Sequence, residues 1–307
     1  MFNIINKIIL RFININKYYV NKLRQKLTYY NINVYPNIYR PSSKPYISGD
    51  TFRKNANHIF DETKVLNPQN IRNNDIVFLK SDLIDLFFND FHKDIKSKYI
   101  LLTHNSDLII DEKYKHLNDE KIIHWFSQNL NFPNNDDFSL LPIGLENKRY
   151  LNAGILSHFN NYTKEEKTQF ILGSFNRETN VDREKLWLII KNNLLIDKKN
   201  FNNHKDYVKN MSKYRFNLCP RGNGTDTHRF WESLMVGTYP IVVRNPFTNN
   251  LERMGIPGLY LNNWSELDNL TEEKLESIYL NLNKNKDSSK FATFSYWKNQ
   301  IDSKRQF

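Results

Sequence analysis

The run KYRFNLCPRGNGTDTHRFWESLMVGTYPIVVR, residues 213–244, constrains this chain more than any other stretch. Tyr214, Phe216 and Leu218 alternate as in a strand, and a turn follows over residues 220–226, rich in residues that tolerate tight or left-handed backbone. Phe230, Leu234 and Met235 then recur at helical spacing, with Thr225, Asp226 or Thr227 available as N-cap and Gly237 as the C′ residue. Residues 239–243 read as a buried strand. Strand, Gly-rich turn, helix and strand make a βαβ unit, and its turn brings backbone N–H groups and a helix N-terminus to one point. Such a point binds phosphate.

Length and charge set the rest of the frame. The 307 residues suffice for two domains, each with its own core. An aromatic content of 14% argues for a folded chain. The formal net charge of +11 favours an anionic partner, yet the basic residues are scattered and no nucleic-acid-binding motif accompanies them. Cys219 is the single cysteine, which excludes an intramolecular disulfide and a cysteine-based zinc cluster. It follows a buried strand, where an inert thiol is expected, and points to a reducing, cytoplasmic setting. Residues 1–20 are apolar but interrupted by Asn3, Asn6, Lys7, Arg11, Asn14, Asn16 and Lys17, so no transmembrane segment is expected there. An amphipathic helix on the protein body or peripheral on a membrane stays open.

Along the chain, residues 31–60 read as irregular. Strands are expected over residues 75–79, 98–102, 122–126 and 138–143, with a helix over 82–91. The strands run into polar ends at Thr103-His104-Asn105-Ser106-Asp107, Ser127-Gln128-Asn129 and Gly144-Leu145-Glu146-Asn147. Ligands of open α/β sheets collect at the carboxyl ends of strands, so these ends suggest half of a cleft. A polar stretch over 148–167 marks a domain boundary. A second α/β domain begins with a strand ending in Gly173-Ser174, and Asn180 opens a helix through Leu195. Helices over 204–211 and 266–282, a strand over 258–261 and a last helix near 291–301 complete it. The expected domains are 1–155, 156–285 and a tail over 286–307 that packs back across the boundary.

Arg221 and Arg229 flank the turn and offer bidentate donors to a diphosphate. Glu232 lies one helical turn deeper, where a carboxylate can accept from two ribose hydroxyls; the alternative is an Arg229–Glu232 pair facing water. No GxxxxGK[ST] or GxGxxG occurs, so phosphoryl and hydride transfer are unsupported. No Asp-x-Asp metal motif or zinc spacing is convincing, and no metal or other cofactor is expected.

Residues 219–229, then Trp231-Glu232-Ser233-Leu234 and Gly237 with Pro240-Ile241-Val242, resemble the signature of exostosin-like glycosyltransferases. Residues 103–107, 124–129 and 142–145 also look like blocks of exostosin-like proteins, so the resemblance touches roughly residues 98–245. It implies a GT-B type α/β fold, two Rossmann-like domains facing each other across a cleft. It also implies a nucleotide-sugar donor, expected to be a UDP-sugar, and a glycan or glycoconjugate acceptor, with inversion at the anomeric carbon. Arg221 and Arg229 would neutralise the diphosphate and Glu232 would hold the ribose. Gly222, Asn223, Gly224, Thr225 and Asp226 of the turn, with Gly173, Ser174 and Arg183, would line the donor pocket. A base would come from the first domain, and Asp107 and His104 are the candidates because they leave a strand end that faces the cleft. Two readings remain beside the enzyme: a non-catalytic nucleotide- or glycan-binding protein of the same fold, and a basic nucleic-acid-binding protein.

Overall fold

The computed structural model describes residues 40–159, 166–284 and 287–306. The expectation for residues 1–20 lies outside them. Two parallel five-stranded sheets organise the chain. The first holds β1 (His58–Phe60), β2 (Asp75–Lys80), β3 (Tyr99–His104), β4 (Ile122–Ser127) and β5 (Phe138–Leu140), paired in chain order. Helices α1 (Gly49–Asn55) and α2 (Ile84–Asp90) belong to this half. Every residue of β3 is buried, as befits a parallel strand covered on both faces.

The second half holds β6 (Gln169–Leu172), α3 (Val181–Ile190), β7 (Ile196–Asp197), α4 (His204–Met211) and β8 (Tyr214–Leu218). It continues with α5 (His228–Met235), β9 (Tyr239–Val243), α6 (Pro246–Arg253), β10 (Leu259–Leu261) and α7 (Glu272–Asn283). Its strand order is β10-β9-β8-β6-β7. The chain therefore steps from β6 outward to β7, then crosses back to place β8 on the other side of β6. That reversal opens a crevice between the carboxyl ends of β6 and β8, where α/β sheets bind ligands.

The last helix, α8 (Phe294–Asp302), leaves the second half and packs on the first. Its Trp297 meets Trp231 of α5 edge-on, ring centroids 6.0 Å apart. Phe291, Phe294, Trp297 and Ile301 join Phe230, Trp231 and Leu234 and the strands of the first sheet in one continuous core. These contacts fasten α5 to both halves.

Three local expectations need correction. Residues 49–55 and 58–60 are helix and strand rather than irregular chain, with Ser48 capping α1 by accepting from the Thr51 N–H. The helix expected over 266–282 is broken: a 3₁₀ turn spans Trp264–Asn269 and Thr271 then caps α7. The α3 helix ends at Ile190, before Leu195, and is followed by the short β7. The βαβ unit of residues 214–243 stands as read, with Gly237 at φ +70° just past the end of α5.

Candidate active site

The Gly-rich turn after β8 is pinned against the first half. The Asp226 carboxylate accepts from the Ile143 N–H at 2.7 Å, the Thr227 N–H at 2.7 Å and the Trp231 Nε1–H at 3.0 Å. Burial pushes its pKa up to about 7 against the pull of those three donors. Asn129 Oδ1 accepts from the Asp226 N–H at 3.0 Å and from the Thr225 hydroxyl at 3.3 Å. Gly224 passes so close that a Cβ there would lie 2.6 Å from Asn129 Nδ2. Only glycine fits that approach. On the next residues, His228 Nδ1 donates to the Gly144 carbonyl at 2.6 Å and Asn223 Nδ2 donates to the Asp107 carboxylate at 3.3 Å.

Between the pinned turn and the carboxyl end of β6 lies a cleft of about 960 Å³. It occupies the crevice that the strand order predicts. Ser174, Phe175, Asn176 and Arg177 border it from the loop after β6, and Trp187 from α3. Gly222, Asn223, Gly224 and Thr227 border it from the turn, and Asp107, Ile143, Asn152 and Ala153 close it from the first half. The volume is at the upper end of what small-molecule sites enclose.

Helix α5 presents its first turn to this cleft. Thr227 is the N-cap, but its side chain makes no capping bond, so the terminal N–H groups keep capacity for an outside acceptor. Arg229 is half-buried on the same turn, with its guanidinium carbon 5.8 Å from the centre of the Tyr207 ring. Its Nε is shielded from solvent and has no hydrogen-bond partner among the described residues. Arg229 lines the cleft, and although burial works against its charge, Tyr207, Cys219 and Glu232 raise its pKa above the ordinary arginine value. Glu232, 4% exposed, lines the cleft with Oε1 accepting from His204 Nε2 at 3.1 Å. Burial alone would raise Glu232, but the bond and charge of His204, with His228 and Arg229, hold it below the usual carboxylate range. His204 must therefore be protonated at Nε2, and its Nδ1 meets His158 Nδ1 at 3.0 Å. No Arg229–Glu232 ion pair forms among the described residues, and neither side chain lies open to water as the alternative reading required.

Several expected site residues lie elsewhere. The Arg221 side chain folds over its own loop, donating to the Asn223 carbonyl at 3.0 Å, and lines a separate cavity of about 390 Å³. Thr225 faces that second cavity and Asn129. Gly173 packs on β7, its N–H bonded to the Asp197 carbonyl. Arg183 does reach the cleft, but its guanidinium donates to the Arg221, Pro220 and Asn176 carbonyls, and burial with the nearby Arg229 brings its pKa down to about 10. It shapes the turn. Asp226 borders the cleft yet is occupied by the inter-half clamp.

The first-half candidates also separate. Asp107 is exposed at the rim of the cleft. His104 is 1% exposed; its Nε2 donates to the Pro142 carbonyl at 3.0 Å and its Nδ1 accepts from the Asn105 N–H at 2.7 Å. Burial, reinforced by the charge of His228, brings its pKa down to about 4. A ring with both nitrogens engaged holds the loop and does not serve as base. His124 is likewise structural, bonded to the Asp136 carbonyl and Ser139. Burial pushes the Cys219 thiol up to about 12, as expected of an inert cysteine.

Sequence reasoning missed Arg177, which stacks over Trp187 at 5.0 Å, and the His158–His204–Glu232 chain. The signal for Arg177 was its place three residues beyond Ser174 in the loop after a strand. Nothing in the spacing of His158, His204 and Glu232 joins them.

Among solved structures the chain is similar to an α1,3-fucosyltransferase, at 13% identity over 67% of each chain with a TM-score of 0.40. It is also similar to the GtfA/B complex, at 10% identity and a TM-score of 0.43. The third is the pneumococcal O-GlcNAc transferase GtfA in complex with UDP and GlcNAc, at 12% identity and a TM-score of 0.38. For these last two the alignment covers 77% of this chain and 58% of theirs. Likenesses this distant leave substrate and chemistry to the geometry. No curated protein matches the chain. A family model does, and it is not the exostosin-like one: residues 131–304, more than half of the chain, match the RXYLT1 C-terminal domain, and the chain belongs to that glycosyltransferase-like family.

Proposed function

We propose that the cleft binds a nucleotide sugar, with UDP as the nucleotide, and that the chain transfers the sugar to a hydroxyl of a glycan or glycoconjugate. The observation that carries this reading is the first turn of α5. An uncapped helix N-terminus, the charged Arg229 side chain and the Glu232 carboxylate line one crevice at the strand-order reversal. Arg229 and the helix N–H groups neutralise the leaving diphosphate, the electrostatic task that glycosyl transfer sets. Glu232 accepts from ribose hydroxyls, and His204 keeps it ionised and aimed. Phe175 and Trp187 supply apolar faces for the base at the other end of the cleft. Asn223, Gly222, Gly224 and Ser174 offer backbone and side-chain donors around the phosphates.

In this reading the diphosphate needs no resident metal, and the exostosin-like character of residues 219–242 is a shared donor-loop design. Inversion at the anomeric carbon follows if the acceptor approaches from the first half, opposite the diphosphate. The buried thiol fits a reducing compartment, and among the described residues no helix is long and apolar enough to cross a membrane.

The test is a panel of UDP- and GDP-sugars, followed by release of free nucleotide with and without glycan acceptors. Turnover of one donor by the wild-type chain and its loss in Arg229→Ala support the reading. Tight UDP binding with no turnover on any acceptor would make the chain a nucleotide-binding protein of the same fold.

A further inference from the structure

We infer that His228 is the base that takes the acceptor's proton, with the acceptor hydroxyl entering from a small polar pocket on the far side of the His228 ring. The inference rests on the transfer reading above. A second pocket of about 240 Å³ adjoins the donor cleft, and Asp107, Ile143 and His228 line both. A reacting hydroxyl must sit where acceptor and donor spaces meet, so these three residues are the ones that can touch it. Ile143 has no group to accept a proton. The Asp107 carboxylate is exposed at the rim and engaged by Asn223.

His228 is built differently. Its Nδ1 faces the Gly144 carbonyl at 2.6 Å, and a carbonyl oxygen can only accept, so Nδ1 carries a hydrogen. The neutral ring therefore holds its lone pair on Nε2, which has no protein partner among the described residues. A fixed tautomer with the other nitrogen free is what a general base requires. The Gly144 bond does for His228 what a carboxylate does for a histidine in a hydrolytic triad: it fixes the tautomer and the ring plane. The pocket beyond is lined by uncharged amides (Asn105, Gln128, Asn147) together with Glu146, Arg149 and Tyr150, which suits a polyhydroxy acceptor.

The step balances without a further reagent. The acceptor oxygen forms its bond to the anomeric carbon as its proton passes to His228 Nε2. The bond from that carbon to the diphosphate oxygen breaks, and its electron pair leaves with the nucleotide. The imidazolium then returns the proton to solvent through the cleft mouth. The charged and titratable groups around the ring are Arg229 and Glu232 on its own helix, Asp226 just before it, and His104, Asp107, Glu146 and Arg149 from the first half.

The full chain is tested with UDP as binding probe and with a panel of UDP-sugars plus methyl glycosides for transfer. In His228→Asn the amide can still donate to Gly144 while the Nε2 position is lost; His228→Gln replaces it should that variant melt early. The expected result is unchanged UDP affinity, a fall in kcat of at least about a hundredfold, and partial rescue by added imidazole. Full transfer activity in the variant overturns the inference. So does a parallel loss of UDP affinity, which would make His228 a donor contact, or a fall in kcat in His228→Asn that Asp107→Asn matches and imidazole does not rescue. A wild-type chain that binds UDP but turns over no donor overturns the transfer reading and the base with it.

Discussion

Replacing His104 by glutamine should flatten the acid side of the stability profile by an amount the structure sets. The neutral ring is satisfied twice, by the Pro142 carbonyl at Nε2 and the Asn105 N–H at Nδ1. Protonating Nδ1 turns the second bond into two opposed donors inside a pocket walled by Phe52 and Phe78. The folded pKa lies at about 4, below the ordinary 6.5. A histidine depressed in this way stabilises the fold fully above its unfolded pKa. That stability is lost as pH falls from the unfolded value toward the folded one, because the unfolded chain takes the proton first. Between about pH 7.5 and about pH 5 the difference amounts to about 2 kcal/mol for this one group. His104→Gln keeps a donor for the Pro142 carbonyl but cannot titrate. Urea unfolding of both chains at the two pH values isolates the effect, since His124 and the carboxylates titrate in both. The wild type should lose about 2 kcal/mol more than the variant over that interval. Equal losses would refute the structural role given to His104 and return it to the list of accessible bases.

Asp226→Asn should cost about 2–4 kcal/mol, because either amide orientation turns an NH₂ group toward a buried N–H of Ile143, Thr227 or Trp231; thermal unfolding reads this, and UDP affinity should fall with it as the turn loosens. Gly224→Ala should separate the turn from Asn129, where the added carbon would sit 2.6 Å from Nδ2, and an early local opening should appear in hydrogen exchange at residues 223–227. Cys219 should not react with a thiol reagent in the folded chain, its thiol being buried and its pKa about 12, and should react at once in denaturant.

The strands and most helices could be read because the buried parallel strands are nearly unbroken apolar runs, as in Tyr99–His104 and Tyr239–Val243. The missed α1 has the opposite character. Its core side includes Asp50, Thr51 and Arg53 as well as Phe52, and Arg40 binds Asp50 and Asp61 at 2.6 Å while Arg53 binds Asp61. A helix buried through ion pairs reads as polar chain. The break at Leu270 had a local sign, Thr271 followed by Glu272 and Glu273, that the longer helical period masked.

The site was legible at the level of the unit and not of every side chain. Residues 220–229 delivered a phosphate-shaped turn because Gly and Asn spacing dictates backbone. Which way Arg221 points depends on the loop's path, and it turned out to close over its own carbonyls. Asp226 was read as a donor contact because its partner Ile143 lies 83 residues away in sequence. The halves of the His204–Glu232 pair are 28 residues apart on different helices, beyond any periodic signal.

The most direct measurement is calorimetric titration of UDP into the wild-type chain and into Arg229→Ala. A charged hydrogen bond to a diphosphate contributes about 1.5–3 kcal/mol, so the variant should bind at least about tenfold more weakly, with cooperative thermal unfolding showing that it is folded at the titration temperature. Equal affinity in the two chains, or no binding of UDP by the wild type at millimolar concentration, would contradict the donor site built here on the first turn of α5.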